Sequence, residues 1–364
     1  MQIKPKGHAQ QNKCHPTKSR AFTLKHRSGC VAGGPLAESL LESVGFPGSA
    51  GSAVRWCRWN PVRPGGSMDK VRRILVHVCK ERAAPHTAQF AQSVTGQFSD
   101  GGEDEVEVNC SLEENRFILF RGDEGRRIPL KRAAFCPIKH LSVTEAAAIP
   151  PDIQRRGVDV GVAILLQSAN QRVLLTRRSK NLRTFPSVWV PPGGHVELDE
   201  TLLDAGLREL KEETGLQLEP EGASPVILGL WESVFPPTLS RGLPHRHHVV
   251  VYMLLHSSLS HLQLQASLSP SPAEVSACLW ADCRLVRAIV SAVDGEDAEV
   301  LLDDLPSSIR VSEVSKNRSL SDSMLPVAVF VSRAPASGPD VERVSTGTKF
   351  ALELWLKSLE MRDL

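Results

Sequence analysis

Three glutamates in one short stretch constrain this chain more than any other feature. Within residues 194–216, GHVELDETLLDAGLRELKEETGL, positions 209, 212 and 213 are all glutamate. They are three and four positions apart, so on a helix their carboxylates share one face. Like charges at that spacing repel by a few tenths of a kcal/mol per pair, and nothing basic inside the trio relieves them. A divalent cation would, and hard oxygen ligands grouped this way suit Mg2+ or Mn2+. The spacing predicts an amphipathic helix with Leu202, Leu203, Leu207 and Leu210 on its apolar side. Asp199 stands where an N-cap is expected, and Gly215 is suited to a left-handed C-cap.

The full frame is Gly194, five residues, Glu200, seven residues, then Arg208-Glu-Leu-Lys-Glu-Glu-Thr-Gly-Leu. It resembles the signature box of the Nudix hydrolases at every specified position. The resemblance implies an α/β (α+β) fold, a mixed β-sheet sandwiched between helices. It also implies metal-dependent attack of water on a diphosphate linked to a nucleoside. By the same likeness Glu209, Glu212 and Glu213 are the catalytic metal ligands, with the Gly194 carbonyl as a further oxygen. Glu200 and Arg208 are implied to bridge the helix to its preceding loop. The proton acceptor stays open between Glu209 and a glutamate from a later loop, for which Glu232 and Glu274 are candidates.

Substrate choice has to come from the flanks. Residues 174–194, LLTRRSKNLRTFPSVWVPPGG, resemble the upstream signature of coenzyme A pyrophosphatases, a departure being Ser187 and Pro191. The cations there, Arg177, Arg178, Lys180 and Arg183, are expected to meet phosphate, and Trp189, Trp231, Phe235 or Tyr252 to stack on a base. FCPIKHL, RRGVDVGVAILLQS and FPSVWVPPGGHVE resemble vertebrate members of the family acting on methylguanosine-capped RNA. This implies decapping with release of m7GDP as the leading activity. A coenzyme A or other small dinucleotide pyrophosphatase is the alternative enzyme, and a catalytically idle nucleotide-binding module the alternative of another class. Intact Glu209, Glu212 and Glu213 count against idleness. The run His245-Arg246-His247-His248 alternates faces on a strand, which does not suit a tetrahedral zinc site. It is expected to lie in solvent or to touch substrate.

Along the chain, residues 1–67 carry five Lys and five Arg against only Glu38 and Glu42, with runs such as GSAGSA and NPVRPGGS. Such a stretch buries too little apolar surface to offset its chain entropy, so a dispensable leader is expected before Met68. A mitochondrial presequence is the alternative, although prolines and glycines interrupt its amphipathic helix. Residues 68–150 read as a small extension with strands RRILVHVC, EVEVNC and RFILFRG. Residues 157–300 read as the Nudix domain. Residues 301–364 read as a polar tail with a closing helix at TGTKFALELWLKSLE. The whole chain holds 43 Lys+Arg against 41 Asp+Glu, so no global field recruits nucleic acid. No apolar run reaches the roughly 18 residues of a membrane span. Eight cysteines without a CxxC pair are expected to be thiols in an intracellular, cytoplasmic protein. Expected partners are a nucleotide or capped RNA, without a membrane or an evident protein partner.

Overall fold

In the computed structural model the described residues are 73–80, 84–122, 125–218, 225–297, 299–300, 302 and 305–361. The expected leader lies outside them. The strands are β1 Leu75–Cys79, β2 His86–Thr87, β3 Glu105–Glu113, β4 Arg116–Phe120, β5 Ile128–Arg132, β6 Asp159–Gln167, β7 Val173–Arg178, β8 Trp189–Val190, β9 Gly193–His195, β10 Val226–Phe235, β11 Arg246–His256, β12 Val275–Ala281, β13 Ser308–Val314 and β14 Leu320–Pro326. The helices are α1 Val94–Phe98, α2 Pro137–His140, α3 Val143–Ala148, α4 Pro151–Gln154, α5 Leu202–Thr214, α6 His261–Ala266, α7 Cys283–Ser291, α8 Val327–Phe330 and α9 Thr346–Glu360. A mixed sheet with helices packed on it is the architecture expected of the α+β class.

Strand β6, DVGVAILLQ, is buried at every position, as a strand covered on both faces must be. It pairs in parallel with β11 along nine residues from His248↔Asp159 onward. At its other edge it meets β9 through Gly161↔His195 and Val162↔Gly194. Strands β3 and β4 form the expected hairpin, with Glu114 and Asn115 both at positive φ in the turn.

Residues 68–150 are not set apart from the sheet. Strand β5 pairs in parallel with β10, and β1 meets β6 at Leu75↔Asp159. That contact closes β6, β11, β10, β5, β3, β4 and β1 into a ring. Alternation then divides the apolar residues between two cores. Val76, Val160, Val162, Ile164, Val249 and Val251 join the first, into which Leu210 of α5 packs. Ala163, Leu165, Tyr252 and Leu254 join the second, covered by Phe350 and Trp355 of α9.

The tail beyond 300 differs from its expected polar, irregular course. The closing helix forms as α9, but β13 and β14 build a hairpin that extends the sheet from β12. Its half-buried, Ser-rich alternation is too polar to read as a strand pair from sequence. Among the described residues no helix is long and apolar enough to cross a membrane. The described cysteines carry thiols rather than disulfides, and burial pushes Cys136 and Cys278 up to about 12.

Candidate active site

Helix α5 begins at a cap other than the expected one. Thr201 is the N-cap: its hydroxyl accepts from the Asp204 N–H, and the Asp204 carboxylate accepts from the Thr201 N–H. Asp199 instead takes a positive φ and exchanges hydrogen bonds with Asn115. A capping box satisfies two otherwise orphaned groups, which one aspartate further upstream cannot do. The C-cap is Gly215, left-handed as expected, with its N–H donating to the Lys211 carbonyl.

One face of α5 looks at β9. Gly194 lies so close to Glu209 that a Cβ there would collide with the carboxylate, so a residue without a side chain is required. Glu213 is buried, and its Oε2 has no hydrogen-bond partner among the described residues. Glu212 is more exposed. Burial pushes the Glu209 carboxyl up to about 7 against the pull of Arg208, with Glu212 and Glu274 adding repulsion. Burial likewise pushes Glu213 up to about 8; Arg178 opposes the shift, while Glu209 and Glu274 add to it. Glu274, which precedes β12, is raised by burial and by Glu212.

Four carboxylates therefore crowd one region at a cost that a cation would remove. The donor chemistry suits a hard divalent metal, and the orphaned Glu213 oxygen points the same way. Among the described residues no three His, Cys, Asp or Glu side chains already converge as a finished metal cluster. Glu209 is turned toward Arg208 instead.

Arg208 is the organiser of this face. Its Nε and Nη2 donate to the two Glu200 oxygens at 2.7 and 2.9 Å, its Nη1 to Glu209 at 2.8 Å, and its Nη2 also to the His195 carbonyl at 2.9 Å. The Glu200 carboxylate above all holds the guanidinium charged, raising it from its ordinary value. Glu212 lies 3.6 Å from the same group. The trio is thus partly relieved by a base from its own helix, contrary to the sequence expectation.

Several flank residues have other work. Arg177 donates to Glu313 at 2.6 Å, Glu342 at 3.1 Å and Ser276 at 2.9 Å. It ties the C-terminal segment to β7 and is not presented to phosphate. Trp189 is fully buried, packs on Phe330 and donates to Glu342 at 3.0 Å. Neither face of its ring is available to a base. Trp231 and Tyr252 are likewise core, packed close to Gly347 of α9. Phe235 is only half-buried, edge-on to Phe185 and His245.

Arg178 donates to the Phe185 and Thr184 carbonyls, shaping the loop before β8. Burial lowers its pKa while Glu213, Glu274 and Glu209 raise it, which places it beside the carboxylates. Arg183 and Lys180 are exposed. Glu232 is not a spare carboxylate. It is buried inside the ring, accepting from the Val94 and Thr95 N–H groups, Ser93 Oγ and His247 Nε2. His247 is correspondingly buried and bound to the Phe90 carbonyl, so the solvent-exposed reading fails for it; His245 alone of the run is exposed.

Residues 155–301 match the NUDIX domain. Across 296 residues, 80% of this chain, the sequence is 64% identical to a zebrafish protein, Danio rerio m7GpppN-mRNA hydrolase NUDT17, of which 98% is covered. The chain belongs to the Nudix hydrolase family, whose members as a class require divalent metal ions. Further relatives bear the same name. The Xenopus laevis protein is 51% identical over 296 residues, covering 80% of this chain and 97% of that one. The Homo sapiens protein is 46% identical over 284 residues, 76% of this chain and 85% of that one.

Proposed function

We propose that this Nudix hydrolase cleaves the cap of methylguanosine-capped RNA within its phosphate bridge, releasing m7GDP, with Mg2+ or Mn2+ held by Glu209, Glu212, Glu213 and the Gly194 carbonyl. The carrying observation is the crowding of Glu209, Glu213 and Glu274 beside Gly194, with one buried oxygen of Glu213 unpaired. The substrate reading is supported by relatives named m7GpppN-mRNA hydrolases. Bound divalent ions would neutralise phosphate charge and lower the pKa of an attacking water.

The chain's own residues supply the rest. Arg208 and Glu200 orient Glu209 from behind. Arg178, beside Glu213, balances the carboxylates and carries positive charge to the edge where the phosphates enter. Glu209, held near neutrality, is the group best matched to take a proton from water, with Glu274 the later-loop candidate. The small-dinucleotide reading is weaker, because Arg177 of the 174–194 signature is already spent on Glu313 and Glu342.

Incubation of the protein with Mg2+ or Mn2+ and capped RNA, coenzyme A, ADP-ribose or NADH separates these readings. Release of m7GDP from capped RNA is expected. Preferential release of 3′,5′-ADP from coenzyme A would replace the substrate, and no metal-dependent cleavage of any would remove the enzyme reading. Glu213→Gln is expected to reduce turnover at least a hundredfold while leaving the fold intact, since it removes charge without opening a cavity. Unchanged turnover would reassign the ligand.

A further inference from the structure

The face of the ring opposite the Glu209 side of β9 carries an excess of positive charge that the catalytic reading does not use. Alternation from the first core puts Arg73 and Leu75, Asp159 and Gly161, and Arg246 and His248 on this one face, in three neighbouring elements. His195 joins them, directly opposite Gly161 across β9. Arg156, in the turn before β6, bears electrostatically on Arg246 and His245.

Only one carboxylate answers these cations. Asp159 is buried and held by Arg73 at 2.7 and 2.9 Å. Arg156 forms no side-chain hydrogen bond or ion pair among the described residues. Burial and the repulsion of Arg156 and Arg73 lower Arg246 to about 10. Burial, then His195, His247, Arg246 and Arg178, push His248 down to about 3. Here like charges crowd at a cost that an anion would remove, the converse of the glutamate face.

The dimensions select the anion. From β1 across β6 to β11 is two strand spacings, about 10 Å, wider than one phosphate and suited to a chain of them. Phe235 pairs with Arg246 across β10 and β11 and stands on the same face, edge-on to Phe185. A half-buried aromatic wall beside guanidiniums is how single-stranded nucleic acid is held. The face also adjoins the reaction centre. Arg178 bears on both His248 and Glu213, and Arg208, which orients Glu209, donates to the His195 carbonyl.

We propose that Arg156 and Arg246, with Arg73 and Asp159 as their base, bind the ribose-phosphate chain of the RNA where it leaves the catalytic helix. The identity of the bound chain as the body of a capped substrate rests on the decapping reading; the RNA surface itself does not.

The test uses the full chain and two measurements. In the first, a fluorescent uncapped 12-nucleotide RNA is titrated at several salt concentrations. Arg156→Ala and Arg246→Ala should each weaken binding about tenfold and lower the slope of log K against log salt by about 0.7, one phosphate contact. Arg156→Lys should restore the slope, which a structural role would not. In the second, kcat/KM is compared for a capped 20-nucleotide RNA and the capped dinucleotide m7GpppA, and the ratio should fall about tenfold in both alanine variants, mainly through KM. Unchanged affinity and slope, or proportional loss on both substrates, would overturn the proposal. Arginine-dependent RNA binding by a protein that cleaves neither substrate would retain this surface and remove decapping.

Discussion

At the scale of single residues, the site is a set of charges held in unfavourable company. Arg208 shows how the company is kept: one guanidinium grips both Glu200 oxygens, one Glu209 oxygen and the His195 carbonyl. Arg208→Gln should raise the Mn2+ concentration for half-maximal activity roughly ten- to a hundredfold, with little change in thermal midpoint. An unaltered metal dependence would show that Glu209 does not need the grip. The glutamates, Gly194 and the Arg208–Glu200 bridge were all legible, because helical spacing and a fixed frame encode them locally. Trp189 and Arg177 were not. Their partners, Phe330, Glu313 and Glu342, stand more than 130 positions away, and no local pattern reports a contact of that range.

At the scale of elements, Glu232 joins β10 to α1 inside the ring. Burial works against its charge, but the bond from His247 and those from Thr95 hold its carboxyl down at about 2, below the 4.5 of an ordinary glutamate. The folded state thus binds fewer protons between those values. The contribution is complete above about pH 4.5 and drains as pH falls through 2, on the order of 3 kcal/mol. Between pH 5 and pH 3 the melting temperature of the parent should fall more steeply than that of Glu232→Gln; equal slopes would place the acid sensitivity elsewhere. Helix α9 was legible from its period, and it anchors the second core through Trp355, whose Nε1 donates to Gln167 at 2.7 Å. Trp355→Ala should cost about 3–5 kcal/mol, measurable by urea unfolding. The β13–β14 hairpin escaped because its partner β12 belongs to the preceding domain, and only the finished sheet makes its polar alternation a strand.

At the scale of the whole molecule, the sequence boundary of the catalytic domain and the physical boundary of the sheet do not coincide. The matched span is 155–301, yet β10 takes its outer neighbour β5 from before it, and β12 takes β13 from after it. Trp189, inside the span, is hydrogen-bonded on its backbone to Arg343 and Ser345 beyond it. A fragment of residues 155–301 would contain every box glutamate and still expose two bare strand edges, the templates on which chains pair with one another. Light scattering of that fragment should report aggregates where residues 68–364 remain dispersed; a monodisperse, folded fragment would show that the flanking strands are ornament. For anyone shortening this enzyme for expression, or comparing naturally shortened products, the unit that must stay together is the closed ring with its C-terminal strap, and not the segment that carries the chemistry.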